Sequence, residues 1–584
     1  MHPRLRPDIL VKLSPPVRLV VETALAGSVP AAYRLGQLIS QIPQSEALNT
    51  LPYVFAHLDP SGIPSASQTV DADLVSGTPI PPMATTVELA LCASTSLSFF
   101  SKAGILPIEV CPDLWPRFWK WAQFFDQFWD SLRTVMHAGI SREEFCRLQA
   151  SCITALGNHL DLRKKIPLTP GVPRILAIAW KAAVSAPRVR PEWLMQEVYN
   201  MTFSMPMKDS TQETFKEVIE GVGGSLQALA ATYEKHFSLA AAPSPNTELA
   251  ADYLMVAGAF LYIGAAEADS VPLRDALRAH PLLPTVLTTI SALHGKPAAG
   301  KALAFCLTYV CDTLGSSPGY TYAAQAFQAG LLRVLITLAV SVAKTGKDRR
   351  DDTGNPIHMS IKLLLTEILP RSLVHYTALQ GLSGVLDDVK SFSAASHIEK
   401  SAFHKEWDEF LLLAEARLNL LQSWQDSKPY PKACDNLKCG KIGPRGEFQC
   451  CGGCRTANYC STNCQTADWR NNHKQICETF AQFKIEYPEI YTIREKGFLR
   501  ALLTADYIRL LPGIFVRQVI FMHSWPREPF FTSLTYSDAH NPKVEVCPQR
   551  TLNAVNTYTR MIMAHFFAIE GEWEADGGAC GVSI

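Results

Sequence analysis

The sequence predicts a mainly α-helical chain, broken late by a small cysteine-rich module and closed by a small α+β domain. Three observations carry this. Apolar residues recur at three- and four-residue spacing through most of residues 87–426. Eight of the 16 cysteines crowd into residues 434–477, and the other eight are scattered. Beyond that cluster, residues 490–572 mix a helical pattern with short alternating runs. The resulting division is an N-terminal helical segment 1–56, a linker 57–86, an irregular all-α domain 87–426, the cysteine module 434–477, the α+β domain 490–572 and a tail 573–584.

The 584 residues are 47% hydrophobic, enough to bury large cores. Residues 57–86 are rich in Pro, Ser, Thr and Gly, as a linker should be. In the run 114–132, Phe118, Trp121, Ala122, Phe125, Phe128, Trp129 and Leu132 fall on one helical stripe, which reads as core. Further helices are expected over 174–185, 211–237, 249–266, 301–314, 323–343, 358–369 and 397–424, the last leading into the module. The glycines of Gly221-Val-Gly-Gly224 interrupt the run 211–237. Leucine spacing in 280–293 and 328–343 is similar to that of armadillo or HEAT helices, but no fixed period of about 40 residues emerges. Loops are expected at 238–247 and 345–356, and a hinge at 427–431. After the module, 498–511 reads as helix, 514–522, 530–536 and 543–547 as strands, and 551–570 as helix.

The module states its chemistry through spacing. Cys434 and Cys439 form a C-x4-C pair, Cys451 and Cys454 a C-x2-C pair, Cys460 and Cys464 a C-x3-C pair, and His473 and Cys477 an H-x3-C pair. A zinc ion takes four tetrahedral nitrogen or sulfur ligands, so four pairs make two closed, structural sites. The four-residue steps Cys460/Cys464 and His473/Cys477 place each pair on one helix face. Cys450 is a surplus thiol. A disulfide framework is the competing reading. It is disfavoured because the N-terminus carries no uninterrupted apolar run of a signal peptide. The expected location is therefore intracellular, cytoplasm or nucleus. No run of 18 apolar residues suggests a transmembrane segment.

Residues 434–477 resemble a MYND-type zinc finger. The resemblance rests on Cys451-Gly-Gly-Cys454, Tyr459-Cys460, Cys464-Gln465, Asp468-Trp469, His473-Lys474 and Cys477. It implies two Zn2+ ions with interleaved ligands: Cys434, Cys439, Cys460 and Cys464 for the first, and Cys451, Cys454, His473 and Cys477 for the second. Two departures from the commonest pattern stand out. The first pair is x4 rather than x2, and three residues rather than two separate Trp469 from His473.

The resemblance also implies a function in protein–protein interaction, in regulation of gene expression. Some fingers of this type hold proline-containing peptides, which points to the segment bearing Tyr459, Gln465 and Trp469. For Tyr459, packing beside the metals is the favoured reading. Seven basic and three acidic residues lie in 432–477, and seven thiolates with two divalent ions bring that balance near +1. The whole chain has 54 basic and 54 acidic residues. A nucleic-acid-binding regulator normally needs a basic face, so this class gains no support.

The enzymatic alternative is a protein-lysine methyltransferase with the finger inserted in a SET domain. Its asparagine–histidine cofactor motif is missing: Asn158-His159 lacks the following Ser-Cys, and His473 is assigned to metal. No phosphate loop, HExxH or GxSxG motif occurs, and His523, His540 and His565 stand isolated. No catalytic residue is named, and the chain is expected not to be an enzyme.

Overall fold

The computed structural model describes residues 1–65, 81–132, 141–185, 212–241, 276–277, 279–280, 282–296, 299–315, 319–344, 355–426, 432–436, 438–478, 481, 492–526, 528, 530–535 and 542–548. The chain divides into two compact units, Met1–Cys306 and Leu307–Ile584.

In the first unit, helices α1 (Pro15–Leu25), α2 (Val29–Leu38) and α3 (Leu51–His57) precede the long helix α4 (Pro81–Lys102). Then come α5 (Cys111–Leu132), α6 (Arg142–Leu156), α7 (Val172–Ser185), α8 (Gln212–Val222), α9 (Leu226–Ala241) and α10 (Leu282–Leu293). Successive helices pack on one another: α4 against α6, α6 against α7, α7 against α8, and α9 against α10. Broad apolar faces force this stacking, since each helix needs a neighbour to cover it.

The aromatic stripe of α5 is core. Phe118, Trp121, Phe125, Trp129 and Leu132 are buried, and the Phe145 ring of α6 meets Phe125 at 5.1 Å and Trp129 at 4.7 Å. Between α7 and α9, Trp180 Nε1 donates to His236 Nδ1 at 2.9 Å. Burial holds His236 down to about pKa 3, so the imidazole is a neutral acceptor.

The run 211–237 does split, at Gly223 and Gly224, both at positive φ. The linker is shorter than expected, because α4 already starts at Pro81. Within it, Met83–Ser101 is the one stretch, among the described residues, that is long and apolar enough on its own to cross a membrane; 72% of its most apolar window is buried inside the fold. Glu88 and several Ser and Thr residues interrupt its apolar run.

Helix α11 (Gly300–Gly315) contains the boundary between the units. The second unit continues with α12 (Tyr320–Gln328), α13 (Leu331–Lys344), α14 (Pro356–Leu363), α15 (Tyr376–Ser383), α16 (Leu386–Ser396) and α17 (His404–Asp426). The helix expected over 323–343 is two helices bent by 73°, with Gly330 at φ 89° between them. The helix expected from His397 starts instead at His404. His397 itself is left-handed at φ 57° and ends α16.

Helix α17 leads into the cysteine module, and α19 (Ile493–Ser524) follows it. The helix of the module itself is α18 (Thr462–Asp468). The expected strand 514–522 is a correction: those residues continue α19, through Pro512 and Gly513. Two true strands follow, β5 (Phe530–Thr535) and β6 (Lys543–Pro548), paired antiparallel from Phe530↔Pro548 to Thr535↔Lys543. The helices expected at 249–266 and 551–570, the hinge 427–431, residues 345–354 of the loop expected at 345–356 and the tail 573–584 lie outside the described residues.

Two polar contacts dock α19 on the helices before the module. Arg417 of α17 donates to Asp506 of α19 at 3.0 Å, with side chains only 8% and 6% exposed, and Arg509 adds a second cation to the same carboxylate. Glu495, in the first turn of α19, accepts from the amides of Tyr376 and Thr377 and from the Thr377 hydroxyl, at the start of α15. Burial works against its charge, but the bonds from His375 and Thr377 outweigh it and hold the Glu495 carboxyl below its usual 4.5.

Replacing Asp506 by Ala leaves a buried guanidinium without its carboxylate. It should destabilise the second unit by about 3–5 kcal/mol in chemical denaturation. A loss below 1 kcal/mol would show the pair to be screened. Glu495 acts on the acid side. Its folded pKa is depressed, so its stabilisation is complete above about pH 4.5 and fades as pH falls through the lower folded value. Glu495→Gln should flatten the stability profile in that acid window, as read by denaturation midpoints across pH.

Candidate metal centre

The finger is built from two small hairpins and a helix. Strands β1 (Lys432–Ala433) and β2 (Ile442–Gly443) pair antiparallel, as do β3 (Gln449–Cys450) and β4 (Asn458–Tyr459). A clamp ties the hairpins together: Asp435 N donates to the Asn458 carbonyl at 2.8 Å, and Asn458 N donates back to the Asp435 carboxylate. Burial raises the Asp435 carboxyl, opposed by the Asn458 amide and by Arg500 of α19.

The four pairs come together as two sets. Cys434, Cys439, Cys460 and Cys464 form one, and Cys451, Cys454, His473 and Cys477 the other, with the ligand atoms of each within 4.8 Å of one another. In the first set, Cys439 Sγ lies 3.5 Å from Cys460 Sγ, and Cys460 Sγ 3.6 Å from Cys464 Sγ. In the second, Cys451 Sγ is 3.8 Å from Cys477 Sγ, while His473 Nε2 is 3.6 Å from Cys454 Sγ and 3.3 Å from Cys451 Sγ. Tetrahedral zinc fixes sulfur–sulfur edges at about 3.8 Å and sulfur–nitrogen edges at about 3.6 Å. Disulfides would need about 2.05 Å. The donor atoms thus fit zinc, and every described cysteine is a free thiol.

Local chemistry places each ligand. An Asx turn at Asn436, which accepts from Lys438 N at 3.2 Å, and Gly440 at φ 65° bring Cys439 back toward Cys434. This is how the longer x4 spacing closes. The Cys451–Cys454 knuckle is sealed by Arg455 N donating to the Cys451 carbonyl at 2.9 Å, with Arg455 itself left-handed. A Cβ at Gly453 would sit 2.9 Å from Cys477 Sγ, so only glycine fits there. Ser461 caps α18 by accepting from Cys464 N at 3.2 Å. Cys460 therefore lies just before the helix and not on its face, unlike the sequence expectation. The extra residue between Trp469 and His473 is absorbed by a π-helix, Trp469–His473, whose wider turn carries one more residue than an α-turn.

Protons must leave for metal to bind. The Ser461 hydroxyl pulls the Cys464 thiol down to about 7, whereas burial pushes Cys434 up to about 12 and Cys477 up to about 11. Burial also lowers His473, which favours the neutral imidazole that can ligate. Thr456 N donates to Cys454 Sγ at 3.4 Å and helps to orient that ligand.

Around the ligands, Tyr459 is fully buried, and its hydroxyl donates to Asp468 at 2.6 Å. It belongs to the finger's core, the reading favoured for it above. Gln465 is half-buried, and Trp469 is 39% exposed with its ring 5.8 Å from that of His473. Cys450 is exposed on β3, donates to Asn458 Oδ1 at 3.4 Å, and joins neither set. The Asp435–Asn458 clamp had no signal in the sequence, because it joins single polar residues far apart in the chain, whereas Asp468, the partner of Tyr459, lies in the Asp468-Trp469 pair of the motif. The Asn158-His159 dipeptide is structural: His159 caps a short helix by accepting from Asp161 N at 3.3 Å.

Two complete four-ligand sets with interleaved pairs define a cross-braced double-zinc finger. Residues 434–477 match the family model of the MYND finger, and the match covers only that segment. The chain matches no curated protein and no solved structure.

Metal-replete protein should contain two zinc ions per chain by elemental analysis. Cys460→Ser should lower that count and unfold the finger while leaving the helical circular dichroism nearly unchanged, because coordination contributes roughly 10–16 kcal/mol to such small modules. A count of one zinc in the wild type would contradict the cross-brace.

Proposed function

We propose that the finger is a protein-docking module, with the helices around it as a rigid mount. MYND fingers generally mediate protein–protein interaction. The observation that carries the reading is Trp469: a large aromatic ring left 39% exposed beside a closed metal site, one helical step from Gln465. Exposed aromatics on a rigid scaffold are the usual anchors of interfaces. The partner suited to such a ring is a proline-containing peptide, whose fixed extended backbone packs flat on an aromatic face.

On this reading the chain is a binding protein and not an enzyme. Both metal sets have four protein ligands, the arrangement of structural rather than catalytic zinc. Regulation of gene expression, in the cytoplasm or nucleus, extends the proposal by family resemblance. Reduced thiolate ligands suit such a reducing compartment.

In titration calorimetry of the full chain against proline-containing peptides, Trp469→Ala should weaken binding at least about tenfold, a loss of about 1.4 kcal/mol, with zinc content unchanged. Equal affinity for the variant and the wild type would remove Trp469 from the interface, and binding by neither would remove this class of partner.

A further inference from the structure

The two ligand sets differ in shielding and in donor type. All four ligands of the second set are buried, and the most accessible of them, Cys477, is 7% exposed. In the first set only Cys434 is buried, while Cys439, Cys460 and Cys464 are half-buried. The first set is also all thiolate, whereas an imidazole replaces one thiolate in the second. Around a divalent ion the first set therefore carries one more negative charge. Negative sulfur that solvent can reach is what peroxides oxidise.

Within the first set, Cys460 is the central thiol. Its Sγ has half-buried neighbours on two sides, Cys439 Sγ at 3.5 Å and Cys464 Sγ at 3.6 Å. An oxidised sulfur there has a resolving thiol at hand before it can oxidise further. Cys439 is the nearer, and a sulfur–sulfur bond needs a closing move of about 1.5 Å. Cys439 lies between exposed Lys438 and exposed Gly440, on a surface turn where such a move meets little packing. Cys464, in contrast, is held in the capped first turn of α18. The exposed Cys450 belongs to neither set.

We propose that the first set is a reversible oxidation site for hydrogen peroxide, and that oxidation there frees one metal ion while the second set keeps its own. The Cys460 thiolate attacks the peroxide bond. One oxygen stays on sulfur as a sulfenic acid, and the other leaves as hydroxide. The Cys439 thiolate then displaces hydroxide from that sulfur, and the disulfide forms. Two thiolates have lost two electrons, and one hydrogen peroxide has become two hydroxides. Cys434 and Cys464 alone are too few donors to hold the ion. The disulfide still ties the Cys439 turn to the end of β4, so the second set stays assembled. A Cys460→Ser chain lacks that cross-link.

The test treats the full chain, loaded with two zinc ions, with hydrogen peroxide and follows release with a chromogenic zinc chelator. One ion should leave at least about tenfold faster than the other. Mass spectrometry at that point should find a Cys439–Cys460 disulfide, with Cys451, Cys454 and Cys477 still reduced. A thiol reductant with added zinc should restore both ions, and Cys450→Ser should release the first ion at the wild-type rate. Loss of both ions at one rate would overturn the proposal. So would a Cys460–Cys464 disulfide, release that requires Cys450, or equally fast release by the chelator without peroxide. The inference needs two metal sites but no peptide partner, so its failure leaves the docking role untouched.

Discussion

Thiolate and imidazole coordination closes residues 434–477, and little else in that segment can. Its buried cluster is Cys434, Cys451, Cys454, Ala457, Tyr459 and Cys477, of which four are ligands. Too few apolar atoms are present to offset the chain entropy of ordering some forty residues. Two ions supply what a core would. The clamp between Asp435 and Asn458, the Ser461 cap and the Arg455 knuckle then set the angles at which the ligands arrive. They refine a shape that metal binding makes stable.

The helical remainder rests on the opposite balance. There, buried aromatics and aliphatics dominate, and a few buried polar contacts orient joints. Trp180 with neutral His236 joins α7 to α9, Glu495 joins α19 to α15, and Asp506 joins α19 to α17. The last two matter most for the finger, because α17 and α19 are the described helices on either side of it in sequence.

How much of this could be read from the residues depended on the range of the interactions. All eight ligands were legible because metal pairs announce themselves within five residues. The aromatic stripe of α5 was legible because it obeys helical spacing. The strand assigned to 514–522 failed for a specific reason. Ile514, Phe515, Val516, Val519 and Ile520 are β-branched or aromatic residues after a proline and a glycine, all local signals against a helix. The backbone nevertheless continues through Pro512, held by the buried first half of α19. Likewise, the extra residue before His473 resembled a flaw in the motif. It proved to be a wider turn, which places His473 at the second site in spite of the insertion.

The interleaving of the ligand pairs has a topological consequence. The two ligand pairs of each ion flank one pair of the other ion along the chain, in the manner of crossed laces. A single cut in the exposed Gly452–Gly453 knuckle or in the 444–447 turn would therefore not release a fragment, because both ends would stay laced to a shared ion. The same crossing makes the order of synthesis matter. Neither site can close until Cys464 has left the ribosome, and the second must wait for Cys477, so the segment emerges as a set of open thiols that become a module only near its end.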